Sequence, residues 1–325
     1  MRWIYWSALV LIFGLSAASH GEFTFEDDGV KTLTLLENGQ QVLCYNYGRM
    51  EPPEGSRADP ERYWRSSYIH PLYGLDGEVM TQDFPSDHFH HRGLYWTWPE
   101  CKAGERAMDI WAIVGVRQLF QEWLKKEAGA DCAEFVVRNA WQFDDDPEPK
   151  VEERVHIYVH PADTQGRCID LELTFTNVCQ DRVIIRGQLT PDSVTKKAKG
   201  YGGFCLRPDA TRKPMTFTTS QGIEKQDVLE LDTPWADVSF HTLPDAKGPL
   251  SGVAIFQNPK NPGYPHPGWI FRHYGFLGAS WPHSEPHLLK PGEAVTLRYR
   301  VYVHRGSAQE ASVGQVFDAY LKATE

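Results

Sequence analysis

The chain has 325 residues, with 33 basic and 43 acidic side chains and a formal charge of -10. That length is ample for a large buried core, in one all-β domain or two smaller ones. The acidic balance, with no basic tract longer than Lys196-Lys197-Ala198-Lys199, excludes a general nucleic-acid binder. A local basic pocket can still hold a small acid.

The N-terminus reads as an export signal over residues 1–19. Arg2 supplies positive charge, Ile4 to Leu15 form a short apolar run, and Ser16-Ala17-Ala18-Ser19 offer a small-residue cleavage region. The run is shorter than the ~20 apolar residues of a membrane span, and no later segment is more apolar. These features place the mature chain, from near residue 22, in the periplasm or outside the cell. Six cysteines follow, an even number that permits disulfides in an exported protein. Cys168 and Cys179 flank one predicted strand and cannot bond each other across its length; no pairing can be assigned.

Thr32-Leu33-Thr34-Leu35-Leu36 and Gln41-Val42-Leu43-Cys44-Tyr45 flank Asn38-Gly39, a hairpin signal. Loop composition marks 49–62, 144–150 and 258–268. Further strands are expected near 92–98, 108–114, 135–143, 183–190, 201–206, 252–257 and 269–274. Val155, Ile157 and Val159 alternate with polar neighbours, as do Leu171, Leu173 and Phe175, and then Val295, Leu297, Tyr299, Val301 and Val303. Each reads as a strand with one apolar face. Leu119, Phe120 and Trp123 align on one face if Val116 to Lys126 is helical. A C-terminal helix is expected from the Ser307/Glu310 capping box and the spacing of Val313, Val316, Phe317, Tyr320 and Leu321. The whole predicts an all-β protein, a single large antiparallel β-sandwich over 22–325 with a short C-terminal helix.

The chemistry concentrates in Asp87-His88-Phe89-His90-His91-Arg92-Gly93. Histidine is the side chain best suited to donate, accept or bind metal near neutral pH. If 88–92 is extended, His88, His90 and Arg92 share one face, and Asp87, Phe89 and His91 the other. Arg92 then offers a planar fork for a carboxylate or a sugar diol. The structural alternative pairs Asp87 with Arg92 and leaves the histidines capping a turn. His70, before Pro71, joins the cluster if its strand pairs alongside. Gly200-Tyr201-Gly202-Gly203, then Arg207, lets the backbone pass close to another group and brings a cation for an anion. Asn258, Trp269, Arg272, His273, Tyr274, Trp281, His283, Glu285 and His287, with Trp235, suggest a polar and aromatic rim whose flat faces suit sugar rings. There is no phosphate loop, dinucleotide fingerprint, nucleophile elbow or HExxH helix, which disfavours nucleotide and serine-esterase chemistry.

The strings His70-Pro71-Leu72-Tyr73 and Asp87-His88-Phe89-His90-His91-Arg92-Gly93-Leu94 resemble the PmoA-like family of exported bacterial proteins. So do Tyr201-Gly202-Gly203 with Arg207, Trp235, Asn258 with Pro262, Trp269 with Arg272, and Leu297-Arg298-Tyr299-Arg300 before His304. The strand order is also similar to the galactose-mutarotase-like β-supersandwich. That resemblance implies a histidine and a late carboxylate doing acid/base work at a sugar; here the His88/His90/His91 cluster corresponds to the histidine part, no late Glu stands in a recognisable epimerase motif, and Glu285 and Glu224 are candidates for the carboxylate.

Three functions are compatible with these residues. The first is a carbohydrate-active enzyme of lyase, hydrolase or epimerase type. In it His88, His90, His91, Arg92 and His70 do chemistry, and Tyr201, Arg207, Trp235, Asn258, Arg272 and His283 hold a small sugar or oligosaccharide. It requires no cofactor. The second is a metal-binding protein, with a divalent ion on His88 and His90 plus His70, His283 or His287. The third is a non-catalytic sugar-binding protein.

Overall fold

The computed structural model describes residues 22–324. The predicted export signal lies outside the described residues.

Among the described residues, two large antiparallel sheets face each other. The first has eight strands, in the order Phe23–Asp27, Thr32–Glu37, Gln40–Asn46, Tyr68–Leu72, Leu94–Thr97, Gly203–Leu206, Phe276–Ala279 and Trp269–Arg272. The second has nine, in the order Gly222–Glu224, Thr216–Thr219, Trp235–Leu243, Lys247–Gln257, Ala294–Arg305, Gly166–Asn177, Asp146–Val159, Ala133–Phe143 and Val116–Ala128. A four-stranded sheet, His287–Leu289, Val183–Ile185, Cys101–Ala103 and Arg106–Met108, adds its apolar side chains to the same core.

The alternation in the sequence becomes rows of paired side chains. Val137, Val155, Leu173 and Leu297 line up across four strands of the nine-stranded sheet, all fully buried or nearly so. Tyr45, Ile69, Leu94, Leu206, Leu277 and Phe271 do the same across the eight-stranded sheet. Period-2 residues on both inner faces interdigitate, which is how a sandwich builds its core. The all-β sandwich expectation is met. The Asn38-Gly39 hairpin is present, with both residues at positive φ (53° and 77°), the conformation a two-residue turn of this kind needs.

Several local expectations change. Val116–Ala128 is a strand, not a helix. Its pairing with Ala133–Phe143 shifts register between Phe120 and Glu122 and again between Trp123 and Lys125. Each bulge resets the alternation, so Phe120 and Trp123 meet on one face at a spacing that imitates a helix. Residues 109–114 form a turn rather than a strand, and the strand that covers most of 144–150 begins at Asp146. The C-terminal helix, Val313–Thr324, is as expected and packs Val313, Phe317 and Tyr320 against the outer face of the nine-stranded sheet. All six cysteines are free. Among the described residues, no helix is long and apolar enough to cross a membrane.

Candidate active site

The outer face of the eight-stranded sheet is the relevant one. The residues that alternate with its core row point away from the partner sheet. Tyr68, Tyr95, Cys205 and Ile270 lie in register across it, and Phe276 stands beside them. Loops cover this aromatic floor, and the histidine segment is one of them.

Residues 85–91 do not extend as a strand. Two successive turns, His88 N–H to Pro85 C=O at 3.0 Å and His91 N–H to His88 C=O at 2.9 Å, wind the segment into a compact loop. Arg92 is its post. Its guanidinium is fully buried and donates to the carbonyls of Phe89 and His91, both at 2.7 Å, and to that of Tyr63. It lies 3.5 Å above the Phe84 ring and 3.4 Å from an Asp83 oxygen. The expectation that Arg92 grips a substrate is therefore corrected: every side of the group is occupied by the protein. The alternative pairing with Asp87 is also absent. Gly93 is required because a Cβ there would sit 2.3 Å from the Ile69 carbonyl.

The turns bring all three imidazoles together, where an extended chain would split them between faces. The His88 ring stacks between His91 (4.6 Å, 10°) and Tyr274 (4.9 Å, 12°). His90 meets His91 edge-on at 4.6 Å and His88 at 5.8 Å. Trp111, from the turn at 109–114, packs against His90, His91, Tyr95, Tyr201 and Phe276.

Arg207 holds the cluster from below. It is buried, donates from Nη2 to both oxygens of Asp87 at 2.8 and 3.0 Å, and lies 5.3 Å from the Tyr274 ring centre. Asp87 in turn reaches His88 Nδ1 at 3.1 Å. Tyr201 enters on the glycine-rich stretch, where a Cβ on Gly203 would lie 2.4 Å from the Ala279 carbonyl. Its hydroxyl accepts a 2.5 Å bond from Arg272 Nε, and Arg272 is 3.5 Å from Asp227. His70 sits at the margin of the same face, its Nδ1 2.9 Å from Thr81 Oγ1.

The electrostatics separate the groups. Burial, then the charges of His88, Arg65, Arg92 and Arg62, push His90 down to about 3. Burial and the neighbouring imidazoles and arginines hold His91 well below the usual histidine range, and burial lowers His70 too. His90 and His91 are thus neutral at ordinary pH. Burial raises the Tyr201 phenol more than Arg272 lowers it, so it stays protonated. Burial would raise the Asp87 carboxyl, but the charge and hydrogen bond of Arg207 keep it below the usual carboxylate range. Asp109 is raised by burial and is engaged by the Ala112 N–H at 2.7 Å.

Other expected site residues lie elsewhere. Trp235 is buried against the C-terminal helix. Asn258 donates to the Tyr320 hydroxyl at 2.6 Å, also beneath that helix. His283 packs under Gly200, with Nε2 3.1 Å from the Leu229 carbonyl, and His287 lies on Trp281. Neither touches the histidine loop. Among the described residues, no three His, Cys, Asp or Glu side chains are arranged to hold a metal ion. The sequence reading missed Trp111 and Arg65. Arg65 is fully buried, stands 5.5 Å from the Tyr95 ring and donates to Thr97 Oγ1. Neither residue carries a local signal, since Trp111 sits in a turn that reads as strand and Arg65 follows a loop.

A family profile described as a family of unknown function, DUF6807, matches residues 32–318. The chain belongs to DUF6807. The histidine loop, the Tyr201 stretch and Arg272 all fall inside the matched span of DUF6807, while the PmoA-like resemblance finds no support in the match. No curated protein matches this DUF6807 chain. Solved structures similar to it include the galactosidase domain of the alpha-galactosidase-sucrose kinase AgaSK (11% identity, 89% of this chain and 40% of that one, TM-score 0.41). A heparan sulfate lyase HepC mutant from Pedobacter heparinus follows (10% identity, 90% and 36%, TM-score 0.37). The alpha-galactosidase AgaA from Geobacillus stearothermophilus is comparable (10% identity, 89% and 40%, TM-score 0.37). The DUF6807 chain spans 40% or less of the length of these three proteins.

Proposed function

We propose that this protein is an exported enzyme that acts on sugars by histidine acid/base chemistry, removing a proton from carbon beside a carboxyl or carbonyl group. One observation carries the reading: three imidazoles in mutual contact, two of them neutral, above an aromatic floor and among buried arginines. The unprotonated imidazole is the form that accepts a proton, and the negative charge of a bound uronate or developing enolate beside it raises its affinity for one. Burial first, and then the charges of His88, Arg65 and Arg92, hold His90 neutral; the same positive charges favour the enolate-like charge formed when the proton leaves.

In this reading His90 takes the proton, and the C–H electron pair moves onto the carbonyl or carboxyl oxygen. In a lyase the enolate re-forms its carbonyl, the bond to the β-oxygen breaks, and that oxygen takes the Tyr201 proton. In an epimerase the proton returns to the opposite face of the same carbon. Hydrolysis fits less well. It requires a protonated acid and a free carboxylate about 5–9.5 Å apart, whereas Asp83, Asp87 and Asp227 are each engaged by an arginine or histidine.

The test is incubation with uronate oligosaccharides and keto-sugars in heavy water, following deuterium uptake at carbon by NMR and unsaturated product by ultraviolet absorbance. The wild-type protein is expected to give one or the other. His90→Ala is expected to reduce the rate by about 10²–10⁴-fold while melting as the wild type does. Full activity in that variant, or no exchange and no elimination with any substrate of these classes, overturns the proposal.

A further inference from the structure

The outer face of the nine-stranded sheet carries a second site, independent of the histidine loop. The C-terminal helix covers one half of this face through Phe317 and Tyr320, packed on Trp235, Phe256 and Tyr302. Between the end of that helix and the uncovered strands lies a cavity of about 320 Å³. This is the size range of small-molecule pockets. Asn258, which the histidine loop does not recruit, lines it and fixes the helix by its bond to Tyr320.

The cavity floor is a ladder of charges in strict register. Asp170 stands opposite Arg300, and Glu172 opposite Arg298; on the next strand Tyr158 faces Asp170 and His156 faces Glu172. Arg300 forks onto Asp170 through Nε and Nη2, both at 2.6 Å, and His160 Nε2 lies 2.7 Å from the same carboxylate. Arg298 Nε donates to Glu172 at 2.8 Å. Arg300 also lies 4.5 Å over the Tyr320 ring, so the helix end and the ladder hold one another.

We infer that this cavity binds a neutral sugar ring. Each cation is matched by an acid across the strand pair, so neither a cationic nor an anionic ligand finds an excess of opposite charge. What the floor does offer is donors and acceptors at fixed positions on strands about 4.8 Å apart, a spacing that vicinal hydroxyls and the ring oxygen can bridge. Arg298 and Glu172 keep part of their bonding capacity, since the pair shares only one bond. Tyr158 supplies a half-buried flat face for the C–H side of the ring. An ion-pair ladder alone contributes little stability at a surface and does not require a cavity beside it.

The test titrates the full chain with galactose, glucose, mannose, lactose and maltose, and with glucuronate as the charged control, by ligand-observed NMR and calorimetry. At least one neutral sugar is expected to bind. Tyr158→Ala and Glu172→Gln are each expected to weaken it ten-fold or more, with Tm retained. Ala323→Trp, an exposed change at the cavity mouth, is expected to block binding without touching the ladder, and it decides the matter if either floor variant melts early. His90→Ala is expected to leave this binding unchanged, so failure of the histidine chemistry and failure of this site remain distinguishable. The inference is overturned if no neutral sugar binds, if binding survives Ala323→Trp, or if glucuronate is preferred.

Discussion

His90 and His91 sit among arginines without a carboxylate of their own, and this makes them sensors of acid as well as candidates for catalysis. An unfolded imidazole takes a proton below about 6.5, whereas folded His90 does so only near 3. The unfolded state therefore binds more protons throughout that interval, and stability falls as pH drops from about 6.5 toward 3, being fully present above it. Thermal melts at pH 7.5 and at about pH 5 are expected to show a clear loss of Tm at the lower pH, and His90→Gln is expected to flatten the difference. Arg92 acts on stability by hydrogen bonding rather than by titration. Its fork satisfies three carbonyls at once, which the point charge of a lysine cannot do. Arg92→Lys is expected to destabilise the protein by about 3 kcal/mol in urea unfolding. If Arg92 bound substrate directly, the same change would raise KM and leave stability nearly intact.

Strand Val116–Ala128 shows how an element can mislead. Its two bulges bring Phe120 and Trp123 together with Tyr47, and Trp123 also meets Tyr45 and Phe135, all at ring distances of 4.9–6.1 Å. The cluster closes the edge where the two sheets meet. Trp123→Ala is expected to cost about 2–3 kcal/mol, below the 3–5 kcal/mol of a fully buried aromatic because the ring is half exposed. A chemical denaturation midpoint measures it. The C-terminal helix teaches a smaller lesson. The Ser307/Glu310 bonds form as expected, at 2.7–3.3 Å, but Ser312 adopts φ +51° and the regular helix starts only at Val313.

Across the whole molecule the two sheets are joined by more than apolar packing. Glu153, fully buried on the nine-stranded sheet, accepts from Ser67, just before strand Tyr68–Leu72 of the facing sheet, at 2.5 Å and from Gln118, Trp141 and Asn139 at 2.7–3.0 Å. Tyr45 joins through Ser67 and Asn139. All these partners are neutral, so the carboxylate is held by four donors in place of a cation, a network whose members depend on one another. In Glu153→Gln an amide N–H₂ replaces one acceptor and must face a donor. The expected loss is about 2–4 kcal/mol with an unchanged circular dichroism spectrum, read from urea unfolding. Because Ser67 precedes Tyr68 in the floor of the histidine site, the variant also tests whether the inter-sheet contact supports that site: a shifted pH profile for turnover would show it.

The sequence by itself determined the strands whose alternation runs unbroken, such as Val155 to Val159 and Val295 to Val303, because a half-buried strand imposes period 2 on its residues wherever it lies. It determined the Asn38-Gly39 turn and the C-terminal helix for the same local reason. It also marked the histidine segment and Tyr201, because those residue types in those numbers are costly to bury for packing alone. Only the tertiary structure decided which of the marked residues meet. Turns at 85–91 gather three imidazoles that an extended chain would separate, and Trp111 and Arg65 reach them from segments with no local signature. Trp235, Asn258 and His283 go elsewhere. Arg92 turns inward to become a structural post because carbonyls of its own loop converge on it. Such outcomes depend on pairings between distant strands and on bulges that shift side chains from one face to the other, and neither is encoded in the residue types of any short window.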